Sequence, residues 1–212
     1  MPTEPAASPW RALFAAIGWY ALATLAAVPP LLLDRAGYLP RGLGGALTIL
    51  LVPLVLMVPV LRAAPVREWL RLPSAGAEQV VVAFLLVLLV NSQLLPLLPL
   101  PVPVADIGAT PGGALGWELL RLAGIAFAAP LAEELFFRGW LWSRLSQAWP
   151  PRAVAVATCL AFAAAHGQYA ASVLPIAVAL TWLRLRGGGL RAPLALHLVI
   201  NTLAAAVTLI GR

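Results

Sequence analysis

Two adjacent glutamates, one arginine and both histidines of this chain stand inside stretches too apolar to hold charge without a reason. In Glu133-Glu134-Leu135-Phe136-Phe137-Arg138, Glu134 and Arg138 are four residues apart and share one face of a helix. Their pairing would neutralise both. Glu133 lies about 100° around that helix and has no partner at the same spacing. A carboxylate left single in a low-dielectric site can act as a general base. In Phe162-Ala163-Ala164-Ala165-His166, Phe162 and His166 share a face, and the three alanines allow a neighbouring helix to approach closely. Histidine there can serve as base, ligand or cap. In His197-Leu198-Val199-Ile200-Asn201, His197 and Asn201 point the same way from their helix. Such a pair can donate hydrogen bonds to a developing oxyanion.

Each motif also has an ordinary explanation: an ion pair that locks two helices, a helix-end cap, an interhelical hydrogen bond. What weighs against these is cost. A charge at the bilayer centre costs about 2.5 to 3.5 kcal/mol on insertion scales, which makes buried ionisable residues functional candidates. No serine stands beside a histidine as a nucleophile would. Cys159 is seven residues before His166 and on another face. Glu133, His166 and His197 could instead hold a zinc ion, since three protein ligands plus water make a catalytic zinc site. No HExxH spacing supports that choice. Glutamate-activated water without a metal is the preferred chemistry, with zinc as its alternative.

Composition supplies the solvent. Of 212 residues, 62% are hydrophobic and only 10% are charged, against about 25% in a soluble domain. Mean hydropathy is +0.93. Such a chain places its surface against lipid, and the expected fold is an all-α polytopic transmembrane bundle of about seven spanning helices. The net charge is +6, and every basic residue is arginine. The arginines fall in short clusters between apolar runs, without a continuous stripe, so they fit positive-inside topology and not nucleic acid.

The elements that must position the candidate residues follow from the apolar runs and their breaks. Spans are expected at about Trp10–Leu33, with Pro29 and Pro30 kinking or ending it, at Leu43–Leu61 and at Glu78–Leu98. A loop from Val102 to Gly113 carries only Asp106. A fourth helix from Ala114 to about Trp149 is too long for a simple perpendicular span. It should break or bend near Arg138–Gly139 and continue as an interfacial segment, with Trp140, Trp142 and Trp149 at headgroup level. Further spans follow at Arg152–His166, Ala170–Leu185 and, after a triple-glycine turn, Ala192–Ile210. Residues 1–113 carry no recognisable site, and residues 114–212 form a four-helix core that does. With the N-terminus in the cytoplasm, Arg11, Arg62, Arg67, Arg71, Arg144, Arg152, Arg184, Arg186 and Arg191 fall on that side. Arg35, Arg41 and Arg212 fall outside.

The ordered set EExxxR, FxxxH and HxxxN on three helices, with Phe-Arg-Gly after the first motif and Ala-Pro before His197, resembles the CPBP family of intramembrane proteases, the CAAX-protease and bacteriocin-processing group. Residues 114 to 210 carry the resemblance. It implies hydrolysis of a peptide bond in a membrane protein or lipidated peptide substrate, within a bacterial inner membrane. It also implies roles. Glu133 with His166 would activate water, and His197 with Asn201 would stabilise the oxyanion. Glu134 and Arg138 would orient them, and Phe162 completes the second motif. A small proton-coupled transporter, or a non-catalytic immunity or scaffold protein of the same fold, are the alternatives. A transporter should line a full path with polar groups, and the first three spans offer little beyond Asn91 and Gln93.

Overall fold

The computed structural model describes residues 8–63, 66–98, 101 and 113–210. Asp106 and its loop up to residue 112, and Arg212, lie outside the described residues. Among the described residues every regular element is helical.

Helix α1 (Pro9–Arg35) pairs along its length with α2 (Leu43–Ala63). Of the two effects expected of Pro29 and Pro30, ending the helix is excluded, since α1 runs on to Arg35. The turn between the two helices is fixed by Asp34. Its buried carboxylate accepts the backbone N–H of Gly42 at 3.0 Å and of Gly44 at 2.9 Å, donors that the start of a helix leaves without intrahelical partners. A Cβ on Gly44 would fall 2.3 Å from the Pro30 carbonyl, so only glycine permits this approach.

A short helix, α3 (Val66–Arg71), precedes α4 (Ala77–Leu89), which ends in a π-helical turn (Val90–Leu94) and a 3-10 turn (Leu95–Leu97). Helical periodicity does not announce α3, which is six residues long. Its single buried residue, Trp69, packs on the helix that carries the glutamates.

The expected fourth span is one helical run over 115–145. It comprises α5 (Leu115–Ala123), a π turn (Gly124–Ala128), α6 (Ala129–Glu133), a π segment (Glu134–Leu141) and α7 (Trp142–Leu145). At about 1.5 Å per residue it is about 45 Å long, more than the ~30 Å of hydrocarbon. The interruption expected near Arg138–Gly139 is the π segment, which widens the helix without breaking it. The helix continues into α7, and Trp140 is turned into the bundle. It is 7% exposed and stacks on Phe136, with ring centroids 5.2 Å apart. Then come α8 (Pro151–Ala165), a 3-10 turn (Gly167–Tyr169), α9 (Ala170–Gly187) and α10 (Arg191–Ile210).

Among the described residues, five helices are long and apolar enough to cross a membrane: Pro9–Arg35, Leu43–Arg62, Ala77–Leu97, Gly167–Gly187 and Arg191–Ile210. The other two of the seven expected spans are built differently, as the π-interrupted 115–145 run and the shorter Pro151–Ala165. Side chains such as Phe14, Leu85, Leu97 and Val207 stand exposed on the bundle, as lipid-facing residues must. The core gathers around the π segment. All eight of its residues are buried, with Leu56, Phe162, Leu180, Leu183 and Leu196 packed in the same cluster.

Candidate active site

The π segment decides where the glutamates point. Glu133 closes α6 and Glu134 opens the π segment, so the pair straddles a change of helical pitch. Both carboxylates reach the same residue of α10. Glu134 Oε1 lies 2.9 Å from His197 Nδ1, and Glu133 Oε2 lies 3.7 Å from His197 Nε2. Glu134 Oε1 also accepts Arg138 Nη1 at 2.9 Å, and all three of these side chains are fully or nearly fully buried. The four-residue spacing of Glu134 and Arg138 thus yields the expected ion pair, and His197 joins it. Glu133 has no arginine partner among the described residues, as the spacing predicted, and its side chain is 16% exposed against 0% for Glu134. The second oxygen of Glu134 and Nε of Arg138 are buried without a hydrogen-bond partner.

The proton positions follow from the partners. A carboxylate that already accepts an arginine can only accept again, so His197 donates to Glu134 through Nδ1–H. Its Nε2 then faces Glu133, and that pair can hold one proton between nitrogen and carboxylate.

His166 caps the C-terminal end of α8. Its Nδ1 lies 2.8 Å from the Phe162 carbonyl, which can only accept, so Nδ1 carries the hydrogen. In the neutral ring Nε2 is then left with a free lone pair. The Phe162 ring joins this histidine to the others. It stands 4.8 Å from the His166 ring, 5.7 Å from the His197 ring and 4.0 Å from the Arg138 guanidinium carbon. Phe162 is 1% exposed, so it is a fixed spacer and not a surface aromatic.

Asn201 sits one turn beyond His197. Its amide donates to the carbonyl of Ile125 at 3.0 Å, in the first π turn. Helix α10 therefore docks antiparallel on the 115–145 run at both π interruptions, through His197 at one and Asn201 at the other. π turns disturb the regular carbonyl-to-amide ladder and are frequent at functional sites. Here both meet side chains of one helix.

Three charged residues of this region escaped sequence reasoning. Glu118 and Arg121, three apart on α5, form a buried double hydrogen bond with Arg121 Nε 2.8 Å from Glu118 Oε2. Their spacing was a usable signal that the C-terminal motifs overshadowed. Arg184 was read only as one of the positive-inside arginines, yet the structure turns it inward, 6% exposed, with Nε donating to the Arg138 carbonyl at 3.0 Å. No periodicity distinguishes it from exposed Arg186, two residues on.

Glu133, His166 and His197, the set that could have held zinc, do not form a metal-binding cluster here. Among the described residues no group of three or more His, Cys, Asp or Glu side chains is placed to hold a metal ion.

This geometry lies within a segment of recognisable kinship. Residues 115–203 are similar to the family model described as type II CAAX prenyl endopeptidase Rce1-like, and this matched segment carries the glutamates, both histidines and Asn201. An uncharacterized 24.3 kDa protein of Escherichia coli is 36% identical over 92 residues, which cover 40% of this chain and 42% of that protein. The chain thus matches less than half the length of that relative. No solved structure matches.

Proposed function

We propose that this protein is an intramembrane endopeptidase that hydrolyses a peptide bond of a membrane-associated or lipidated protein. The single observation that carries the reading is His197 held between two carboxylates of opposite condition. Glu134 is neutralised by Arg138 and fixes the ring. Glu133 has no cation of its own and faces the other ring nitrogen. An ion pair serving only to lock helices has no use for the second glutamate.

In the proposed reaction Glu133 takes a proton from a water molecule as that water attacks the scissile carbonyl, and it returns that proton to the leaving amine when the tetrahedral intermediate collapses and the C–N bond breaks. The free Nε2 of His166 assists, and Phe162 sets its distance from the rest. His197, through the proton its Nε2 holds with Glu133, and Asn201 stabilise the tetrahedral oxyanion. For Asn201 this requires its amide, bonded to Ile125 in the resting state, to turn to or share with substrate. One oxyanion donor is worth about 2.7 to 4 kcal/mol. The Glu134–Arg138 pair holds the His197 ring in the orientation and tautomer that the step requires. If zinc is used, Glu133, His166 and His197 would gather around it only after rearrangement. There it would polarise the carbonyl or the water.

The family match supports a protease at the level of the domain, and the five apolar spans support an integral membrane setting. We place the protein in a bacterial inner membrane with its N-terminus in the cytoplasm, from the arginine distribution. The test is a comparison of membrane proteomes from cells expressing the parent protein, Glu133→Gln, His166→Ala and His197→Ala. Processed termini present with the parent and absent from all three variants are expected. Identical termini in every strain would end the protease reading.

A further inference from the structure

The Glu133–Glu134 site stands at the start of a π segment whose side chains are met by His197 and Phe162, and whose backbone is held from another side. Helix α9 holds it through two crossed arginine contacts. Arg138 Nη2 donates to the Ala177 carbonyl of α9 at 3.4 Å, and Arg184 of α9 donates back to the Arg138 carbonyl at 3.0 Å. The second contact is where the helix has changed its bonding. In an α-helix the Trp142 amide would serve the Arg138 carbonyl. Here it points to the carbonyls of Phe137 and Gly139 instead.

Arg184 has no reason of its own to be buried. It lies one turn from the end of α9, where exposed Arg186 shows that a long cationic side chain can reach solvent or headgroups, the usual behaviour near the end of a span. Among the described residues no carboxylate lies within ion-pair distance of it. Its guanidinium carbon stands 5.2 Å from the Trp142 ring centroid, and its one hydrogen bond goes to the backbone of the site helix.

We infer that Arg184 is a positioning residue of the active site, pinning the π segment by the Arg138 carbonyl so that Arg138, Glu134 and His197 keep their chain of contacts. The contacts run without a gap: Arg184 to the Arg138 backbone, Arg138 to Glu134, Glu134 to His197. The inference rests on the protease reading for its catalytic consequence and on geometry alone for its structural one.

The test uses the full-length protein in detergent or nanodiscs, and as substrate any membrane protein whose processing is lost in Glu133→Gln. The variants are Arg184→Met and Arg184→Lys. Methionine keeps the apolar stem and loses the donor. Lysine retains one donor for the one carbonyl, though not the fork. Arg184→Met should slow cleavage by about ten- to a hundred-fold, the usual range for a lost supporting contact. It should raise amide hydrogen exchange across residues 134–142 while α1 and α2 exchange as in the parent. Arg184→Lys should recover most of both. Cleavage by Arg184→Met at the parent rate would overturn the inference. So would exchange that rises throughout the bundle, or a lysine variant as slow as the methionine one. If Glu133→Gln proves as active as the parent, the protease reading falls instead, and the exchange pattern of Arg184→Met still decides whether Arg184 pins the segment.

Discussion

The backbone of Gly139 lies directly against the indole of Trp69, so close that a Cβ at position 139 would fall 2.4 Å from the ring. Trp69 belongs to α3, outside the family-matched segment, and Gly139 belongs to the π segment inside it. The residues after Trp69 are held in the same neighbourhood. The Trp69 carbonyl accepts the Leu190 amide at 3.2 Å, and Ser74 Oγ accepts the Ala192 amide at 2.8 Å at the start of α10. One strap of the N-terminal half therefore touches both helices that meet at His197. Gly139→Ala is expected to destabilise the protein by about 1 to 3 kcal/mol, as overpacking does. In the background of Trp69→Ala the same change should cost little, because the ring it strikes is gone. Thermal unfolding of the four proteins as a double-mutant cycle measures this coupling, and additive effects would contradict the contact.

The two glutamates should separate stability from activity. Glu134→Ala removes the only carboxylate that, among the described residues, is bonded to fully buried Arg138. Breaking a buried pair from one side costs about 3 to 5 kcal/mol in soluble proteins, so a marked fall in melting temperature is expected together with loss of cleavage. Glu133→Gln leaves that pair intact and changes a partly exposed side chain at 3.7 Å from its neighbour. It should melt close to the parent and cleave nothing. A Glu133→Gln variant that unfolds like Glu134→Ala would mean that the glutamates share one structural job.

The pattern in these residues explains how far the sequence could be read. Helical spacing foretold the Glu134–Arg138 pair, the absence of an arginine for Glu133 and the shared face of Phe162 and His166, because all three depend on contacts within one helix. Interhelical contacts have no such code. That Glu134, not Glu133, bonds His197, and that Asn201 reaches Ile125, follow from how α10 docks on the two π turns. The burial of Arg184 likewise depends on which carbonyl the π segment offers. The packing of Trp140 was illegible for the same reason: its stack on Phe136 depends on how the π segment turns the two rings. Helix α3 is only six residues long, too short for periodicity to announce it.

Asn201 distinguishes a scaffold from an oxyanion donor. Its bond to Ile125 is one interhelical hydrogen bond, worth on average about 0.6 kcal/mol and at most about 1.7 in a membrane. If Asn201 acts only there, Asn201→Ala should lower stability by that amount and leave cleavage nearly unchanged. The proposed role predicts the same small stability loss with cleavage reduced about 100- to 1000-fold, the cost of one oxyanion-hole donor. Initial rates and unfolding curves on the same preparations separate the two outcomes.

Chelation addresses the base. His197 is bonded at Nδ1 by Glu134, which is itself bonded by Arg138, and His166 is bonded at Nδ1 by the Phe162 carbonyl. Both histidines thus have their Nδ1 hydrogens committed, with Nε2 of His166 free and Nε2 of His197 facing Glu133. A metal ligand and a general base would each use Nε2 in that way, so tautomer alone does not choose between them. The proposed glutamate-activated water needs no ligand cluster. Glu133, His166 and His197 do not cluster as ligands, whereas a base and an oxyanion donor act on different atoms of the substrate and need not converge on one point. Cleavage by the purified protein is therefore expected to survive prolonged treatment with a strong zinc chelator, with the rate changed by less than about twofold, whereas loss of a catalytic metal would remove several kcal/mol of transition-state stabilisation. Activity abolished by the chelator and restored by added zinc would replace glutamate-activated water with a metal-assisted step.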